Sequence, residues 1–218
     1  MSKPPTGPSE RREHSRASAR EPGIPARSER GRSADWRDPW PVVGVRRGDP
    51  EPSPGVAALR ADGYRAVFDV DPVDADRDEY QDHLNNTAAV RMFNELRIAY
   101  VADRLAPDWP RYVRRNGLGV VVRELHVQYD SEGWMHERYA GATRYVQRRG
   151  KAAIVEQRLV EAATTRSFAT ASVVQLLVEF DGGVVEWPAF FWEMVAVVEE
   201  QPIPTVTGAP RAQWRPPE

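Results

Sequence analysis

The densest run of chemistry-bearing side chains in this 218-residue sequence lies in its middle. Glu79, Gln81, Asp82, His83, Asn85 and Asn86 fall within eight positions and end where an apolar segment begins. If that segment is a helix, its first backbone N–H groups lack intrahelical partners. They then form an electropositive site for an oxyanion or a polarised carbonyl. A carboxylate beside such a site can act as nucleophile or general base. The same residues also describe a surface loop that does no more than cap a helix, and both readings stay open at this point.

Other chemistries have less to work with. The sequence has no cysteine, which removes thiolate metal sites, iron–sulfur ligation and cysteine nucleophiles. It has no Gly-x-Ser-x-Gly elbow, no P-loop, no Gly-x-Gly-x-x-Gly after a strand and no His-Glu-x-x-His. Of the four histidines (His14, His83, His126, His136), only His126 and His136 are near in number, and two ligands are too few for a metal site. No metal and no other cofactor is expected. Thirty Lys+Arg against 32 Asp+Glu give a net charge of -2, so no nucleic-acid partner is expected. No stretch of about 18 apolar residues exists, so no membrane helix is expected. The N-terminus lacks an apolar signal core, and a cytoplasmic location is expected.

The elements that must position the run can be read from periodicity. Tyr64, Ala66, Phe68 and Val70 alternate, which predicts a strand. Residues 71–86 are polar and rich in turn formers, which predicts a loop. Met92, Phe93, Leu96, Ala99 and Tyr100 recur every three or four residues and predict a helix over 88–105. Asn85, Asn86 or Thr87 would cap it, and Pro107 and Pro110 would stop it. Strands are expected over 120–129 (Val121, Leu125, Val127 and Tyr129 on one face), 136–147, 153–162, 168–180 and 184–187. Gly150 and Asp181-Gly182-Gly183 mark turns, and a closing helix spans 188–199. This order predicts an α+β fold, with an antiparallel sheet of five or six strands beside one long helix that it can wrap.

Residues 1–57 hold ten of the 19 prolines and read as a disordered tail. Within them, residues 36–44 carry Trp36, Trp40, Val42 and Val43, which could dock on the domain as a strap or be a linker with incidental aromatics. The domain is expected over 58–200, with a second disordered tail over 201–218.

On these residues the sequence resembles a known family. Glu79-Tyr-Gln-Asp-His-Leu-Asn-Asn86, followed by a helix containing Phe93-Asn-Glu-Leu-Arg97, looks like the hotdog-fold acyl thioesterases. These include the 4-hydroxybenzoyl-CoA and acyl-carrier-protein thioesterase types. Their stretch reads Asp-x-x-Gly-His-Val-Asn-Asn, ahead of a helix with an aromatic-x-Glu-x-Arg pattern. The resemblance covers roughly residues 60–200. It implies a sheet wrapped around the helix, a homodimer or dimer of dimers, and active sites at the dimer interface. It also implies a helix N-terminus aimed at the thioester carbonyl, an acyl chain running along the helix, and a place in fatty acid metabolism.

Residue by residue, Glu79 falls at the family's catalytic carboxylate and is one methylene longer than the usual Asp. His83 matches the motif His, and Asp82 stands where Gly is frequent. Asn85 and Asn86 match directly. Glu79, His83 and Asn86 are therefore the implied catalytic set. Gln81, Asn85, Thr87, Glu132 and Arg149 are the implied substrate-binding set, Arg149 as part of a basic turn that could meet coenzyme A phosphates or simply be solvated. Glu95 is expected to pair with Arg91, four residues earlier. The implied activity is hydrolysis of an acyl-CoA or acyl-carrier-protein thioester to acid and thiol. The alternatives are a non-catalytic hotdog protein that binds an acyl thioester, or a hotdog dehydratase or other biosynthetic enzyme acting on thioesters.

Overall fold

The computed structural model describes residues 42–208. Its elements in chain order are β1 (Val45–Arg46), α1 (Pro54–Ala61), β2 (Ala66–Val70), α2 (Ala88–Ala99) and α3 (Asp108–Arg115). Then follow β3 (Leu118–Tyr129), β4 (Tyr139–Arg149), β5 (Ala152–Glu161), β6 (Ser167–Glu179), β7 (Val184–Val185) and α4 (Ala189–Glu199). All strands join one antiparallel sheet in the order β1-β2-β4-β5-β6-β3, with β7 also on β6. The α+β class and every expected strand are present.

One face of the sheet cradles α2. Ala88, Ala89, Met92, Phe93, Leu96 and Ala99 are fully buried and share a core with Phe68, Tyr139, Val155, Leu159 and Val173. Burying side chains such as Phe93 and Leu96 contributes about 1.5–3 kcal/mol each. The helix lies close because Gly141 of β4 has no side chain: a Cβ there would stand 2.7 Å from Leu96 Cδ1. From β5, Gln157 Nε2 donates to the Phe93 carbonyl at 2.8 Å. The expected helix over 88–105 is α2 continued by one wide π turn, Tyr100–Arg104. Pro110 does not stop anything. It lies in the first turn of α3, where the missing N–H has no partner to lose. At this end Trp109, Trp187, Phe191 and Trp192 pack ring on ring.

Residue 57, where the tail is expected to give way to the domain, falls inside α1. Ser53 caps α1 through its side chain, and Pro54 occupies its first turn. Val56 and Leu59 cover the outer face of the sheet at Val67, Ala140, Ala142 and Val160. Upstream, the valine part of the suggested strap docks. Val42 packs on the core, and the Gly44 carbonyl accepts the Asp71 amide at 2.7 Å. Trp36 and Trp40 lie outside the described residues. Past residue 200 the chain still packs on the domain. Ile203 is buried, and Arg148 exchanges backbone hydrogen bonds with Pro204 and Val206. The rest of both expected tails lies outside the described residues.

The shared face expected for β3 is broken. Opposite β6, the register shifts between Val122 and Glu124, leaving Arg123 as an extra residue. That bulge turns Val121 to the face opposite Leu125. Val121 is accordingly 40% exposed, whereas Leu125 packs on the core.

Candidate active site

The polar run folds as a short hairpin tied to the start of α2. Asp76 closes a 3-10 turn (Asp74–Asp76), and its carboxylate accepts the Val73 amide at 2.9 Å. It also receives Arg91 of α2 through Nε at 2.6 Å and Nη2 at 2.5 Å. Asp76 is almost wholly buried, so this bidentate pair is shielded from water. Arg91 reaches the Val43 carbonyl as well, and the Val43 amide donates to Glu95 at 2.9 Å. The expected Glu95–Arg91 pair is therefore replaced: each side chain holds the strap, and Arg91 takes the buried acid.

The hairpin itself is closed by the Asp78 amide on the His83 carbonyl at 3.0 Å and a bridge between Arg77 and Leu84. It docks on the segment after β3 through the Leu84 amide to the Gly133 carbonyl at 2.8 Å. Asn85 is a brace. Its Nδ2 donates to the carbonyls of Ala75 and Arg77, and its Oδ1 accepts the amide and hydroxyl of Thr87. With Thr87 turned to Asn85, no side chain caps α2. Asn85 takes the Thr87 amide on its Oδ1 and the Ala88 amide on its carbonyl at 3.1 Å, and the amides of Ala89 and Val90 that follow have no intrahelical partner.

The sequence-derived site residues fall into separate places. His83 is half-buried against Trp134, with ring centroids 6.3 Å apart. The carboxylate that faces it belongs to Asp78, at 3.8 Å from His83 Nε2. The other oxygen of Asp78 accepts the amides of Tyr80 and Gln81. Glu79 and Gln81 are exposed, and their side chains make no hydrogen bond or ion pair among the described residues. Asp82 pairs with Arg77 and lies 4.0 Å from His136 Nδ1. Asn86 has an exposed side chain, while its carbonyl accepts the hydroxyl of Tyr129, the last residue of β3. Partial burial raises the Tyr129 phenol above its ordinary range, which keeps it a donor.

Glu132 is exposed, and its backbone carbonyl, not its carboxylate, is engaged, by Arg166 at 2.5 Å. Arg149 stands at the other end of β4 from the hairpin. Its ten-residue distance from Tyr139 corresponds to about 33 Å of strand, so the two do not meet within one chain. A cleft of about 470 Å³ lies beside the hairpin, lined by Glu51, Asp69, His136, Glu137, Arg138 and Glu161, and contains none of residues 76–87. Among the described residues no three His, Asp or Glu side chains gather in a way that could hold a metal. Sequence reasoning passed over Asp76, Asp78 and Trp134, and gave Arg91 a different partner. Asp78 carried a local signal, since an Asp two and three residues before free amides commonly forms such a turn.

This fold and this hairpin-helix junction define the class. Residues 69–197 match the family model of the thioesterase-like superfamily, and the chain belongs to that family. No curated protein matches it. Among solved structures it is similar to a thioesterase from Thermus thermophilus complexed with coenzyme A and Zn. Identity is 23%, the match covers 65% of this chain and 98% of that one, and the TM-score is 0.53. A thioesterase-superfamily protein from Jannaschia sp. CCS1 is 19% identical over 72% of this chain and 97% of its own, with a TM-score of 0.58. A 1,4-dihydroxy-2-naphthoyl-CoA thioesterase from Synechocystis is 8% identical over 60% and 94%, with a TM-score of 0.53. At these identities the likeness is one of fold, the hotdog fold. No described helix is long and apolar enough to cross a membrane.

Proposed function

We propose that the chain hydrolyses an acyl thioester of coenzyme A or a carrier protein to free acid and thiol. The observation that carries this reading is the placement of Asp78 and His83 on a braced hairpin that ends at the uncapped start of α2. The thioester carbonyl oxygen would lie against the Ala89 and Val90 amides in the first turn of α2, where negative charge is stabilised as it builds. Asp78 would take a proton from water while the hydroxyl adds to the carbonyl carbon. The carbon–sulfur bond then breaks, sulfur leaves with the electron pair and accepts a proton, and the acid remains. His83 and Asn86 would orient the water and the carbonyl. Glu79 carries the right charge one residue further on, and it is the alternative bearer of the same role.

The reading includes a homodimer. β3 is twelve residues long, pairs with β6 among the described strands, and exposes Val120, Val121, Val122 and Tyr129. An apolar edge strand of that length suits a partner strand, and a second copy supplies one by antiparallel pairing. Such pairing would bring the Leu118 end of one protomer toward the hairpin end of the other. A cytoplasmic location belongs to the same reading.

Thiol release from a panel of acyl-CoA esters tests the activity. Asp78→Asn is expected to lose about 10²–10⁴-fold in turnover, with Glu79→Gln near wild type. The reverse pattern would assign the role to Glu79. The hydrogen bonds that Asp78 already accepts from Tyr80 and Gln81 favour, as the second reading, a protein that binds the thioester without splitting it. Tight acyl-CoA binding with no thiol released from any ester would establish that reading.

A further inference from the structure

The cleft of about 470 Å³ beside the hairpin plays no part in the hydrolase reading, and its volume is that of a small-molecule site. Glu51 and Ser53 come to it from the loop between β1 and α1, Asp69 from β2, Arg138 from the approach to β4, and Ala162 and Ala163 from the turn after β5. Asp69 stands two residues from Val67 on its strand, so it faces the side of the sheet that carries α1.

The charges around this cleft do not balance. Arg46 and Arg138 each reach Glu51, Asp69 and Asp71, and Arg166 reaches Glu137 and Glu161. Three guanidiniums thus serve five carboxylates, an excess of two negative charges, and four of the five acids line the cleft.

Asp69 is the acid that a ligand would meet with least water around it, since its side chain is only 8% exposed. Its Oδ2 accepts the Glu51 amide at 3.0 Å and faces Arg46 at 3.5 Å and Arg138 at 3.9 Å. Its Oδ1 has no hydrogen-bond partner among the described residues and is not sealed from the cleft. A half-served carboxylate in so dry a place is costly until a donor completes it. Water brings a donor but no charge to offset the excess. An ammonium or guanidinium group brings both. A metal ion suits the cleft less, because among the described residues no three His, Asp or Glu side chains converge on a point. A phosphate or carboxylate would meet like charge.

We propose that this cleft is a binding site for a small aliphatic dication, a diamine or an amine with a guanidinium head, which donates through one head to Asp69 Oδ1. Its second charge offsets the rest of the carboxylate excess. The site stands whether or not the chain splits thioesters.

Titration calorimetry on the full chain tests it with agmatine, which carries one guanidinium and one ammonium, and with 1,4-butanediol as the uncharged probe. Agmatine is expected to bind as one equivalent with a Kd below about 1 mM, and butanediol not to bind. Asp69→Asn should weaken agmatine by about tenfold or more. Asp69 also holds Arg46 and Arg138, so a second variant leaves that network intact. Ala163→Arg, at an exposed position on the cleft, tethers a guanidinium there and should abolish binding. Val197→Arg adds the same charge at an exposed position on α4, outside the cleft lining, and should leave Kd unchanged. No binding at millimolar agmatine, or a wild-type Kd in Asp69→Asn or Ala163→Arg, overturns the proposal. So does an equal loss in Val197→Arg and Ala163→Arg, which would mean attraction to net charge and not to a site.

Discussion

Asp76 and Arg91 form the buried clasp between the polar hairpin and α2, two hydrogen bonds of 2.5 and 2.6 Å from one guanidinium to one carboxylate. Asp76 also accepts the Val73 amide, and its carbonyl accepts the Asn85 amide, so one residue sets both the entry and the exit of the hairpin. Removing one partner leaves the other charge buried. Arg91→Met or Asp76→Asn is therefore expected to cost about 3–5 kcal/mol in urea unfolding. A double-mutant cycle should return a large coupling, since the pair shares one site. A cost below about 1 kcal/mol would mean that the clasp does not hold the hairpin.

Tyr129 links the edge strand to the same junction through its hydroxyl on the Asn86 carbonyl. Tyr129→Phe removes that bond and keeps the ring against Phe168. Stability is expected to fall by about 1 kcal/mol. If Asn86 orients the reacting groups, kcat should fall while KM for an acyl-CoA ester stays near wild type. Steady-state kinetics read both, and a change in KM alone would count against a positioning role.

The exposed valines of β3 make a prediction about assembly. Val121→Glu places a charge on an exposed apolar position where two copies would meet. Analytical ultracentrifugation should show a dimer for the wild type and a larger monomer fraction for the variant. A wild-type monomer at micromolar concentration would show that β3 does not serve as the interface.

Glu199, the last residue of α4, is buried and accepts the Tyr100 hydroxyl at 2.8 Å and the Tyr145 amide at 3.1 Å. Burial raises its carboxyl above the ordinary glutamate range, although both hydrogen bonds and the more distant Arg144 and Arg65 act the other way. A raised acid binds its proton more tightly in the folded state. Its stabilising contribution is therefore complete below the ordinary glutamate range and is lost as pH rises through the raised value. Thermal unfolding of Glu199→Gln should show a flatter decline in Tm with rising pH than the wild type across that window. An identical pH dependence in the two proteins would refute the assignment.

Much of this architecture was legible in the order of residues. The three- and four-residue spacing of Met92, Phe93, Leu96 and Ala99 marks the buried face of α2, and the alternation through β6 marks a strand that pairs on both sides. What escaped was set by neighbours. The proline-rich stretch before residue 58 carries few apolar residues. Val56 and Leu59 are enough to fix α1 only because the outer face of the sheet offers Val67 and Val160 to cover. Pro110 reads as a stop but sits in the opening turn of α3. Val121 reads as a core residue until the bulge at Arg123 turns it outward.

The site divides in the same way. The sequence by itself determined the supply of groups: a polar run with acids, a histidine and paired asparagines, ending at an apolar helix. Only the tertiary structure decided which of them work together. Asp76, Asp78, Glu79 and Asp82 are chemically near-equivalent in the sequence and stand within seven positions. Folding buries the first against Arg91, turns the second to His83, and leaves the third in water and the fourth on Arg77. The physical reason is that local propensity acts over a few residues. The desolvation and countercharge that give each carboxylate its task come from strands and helices distant in the chain.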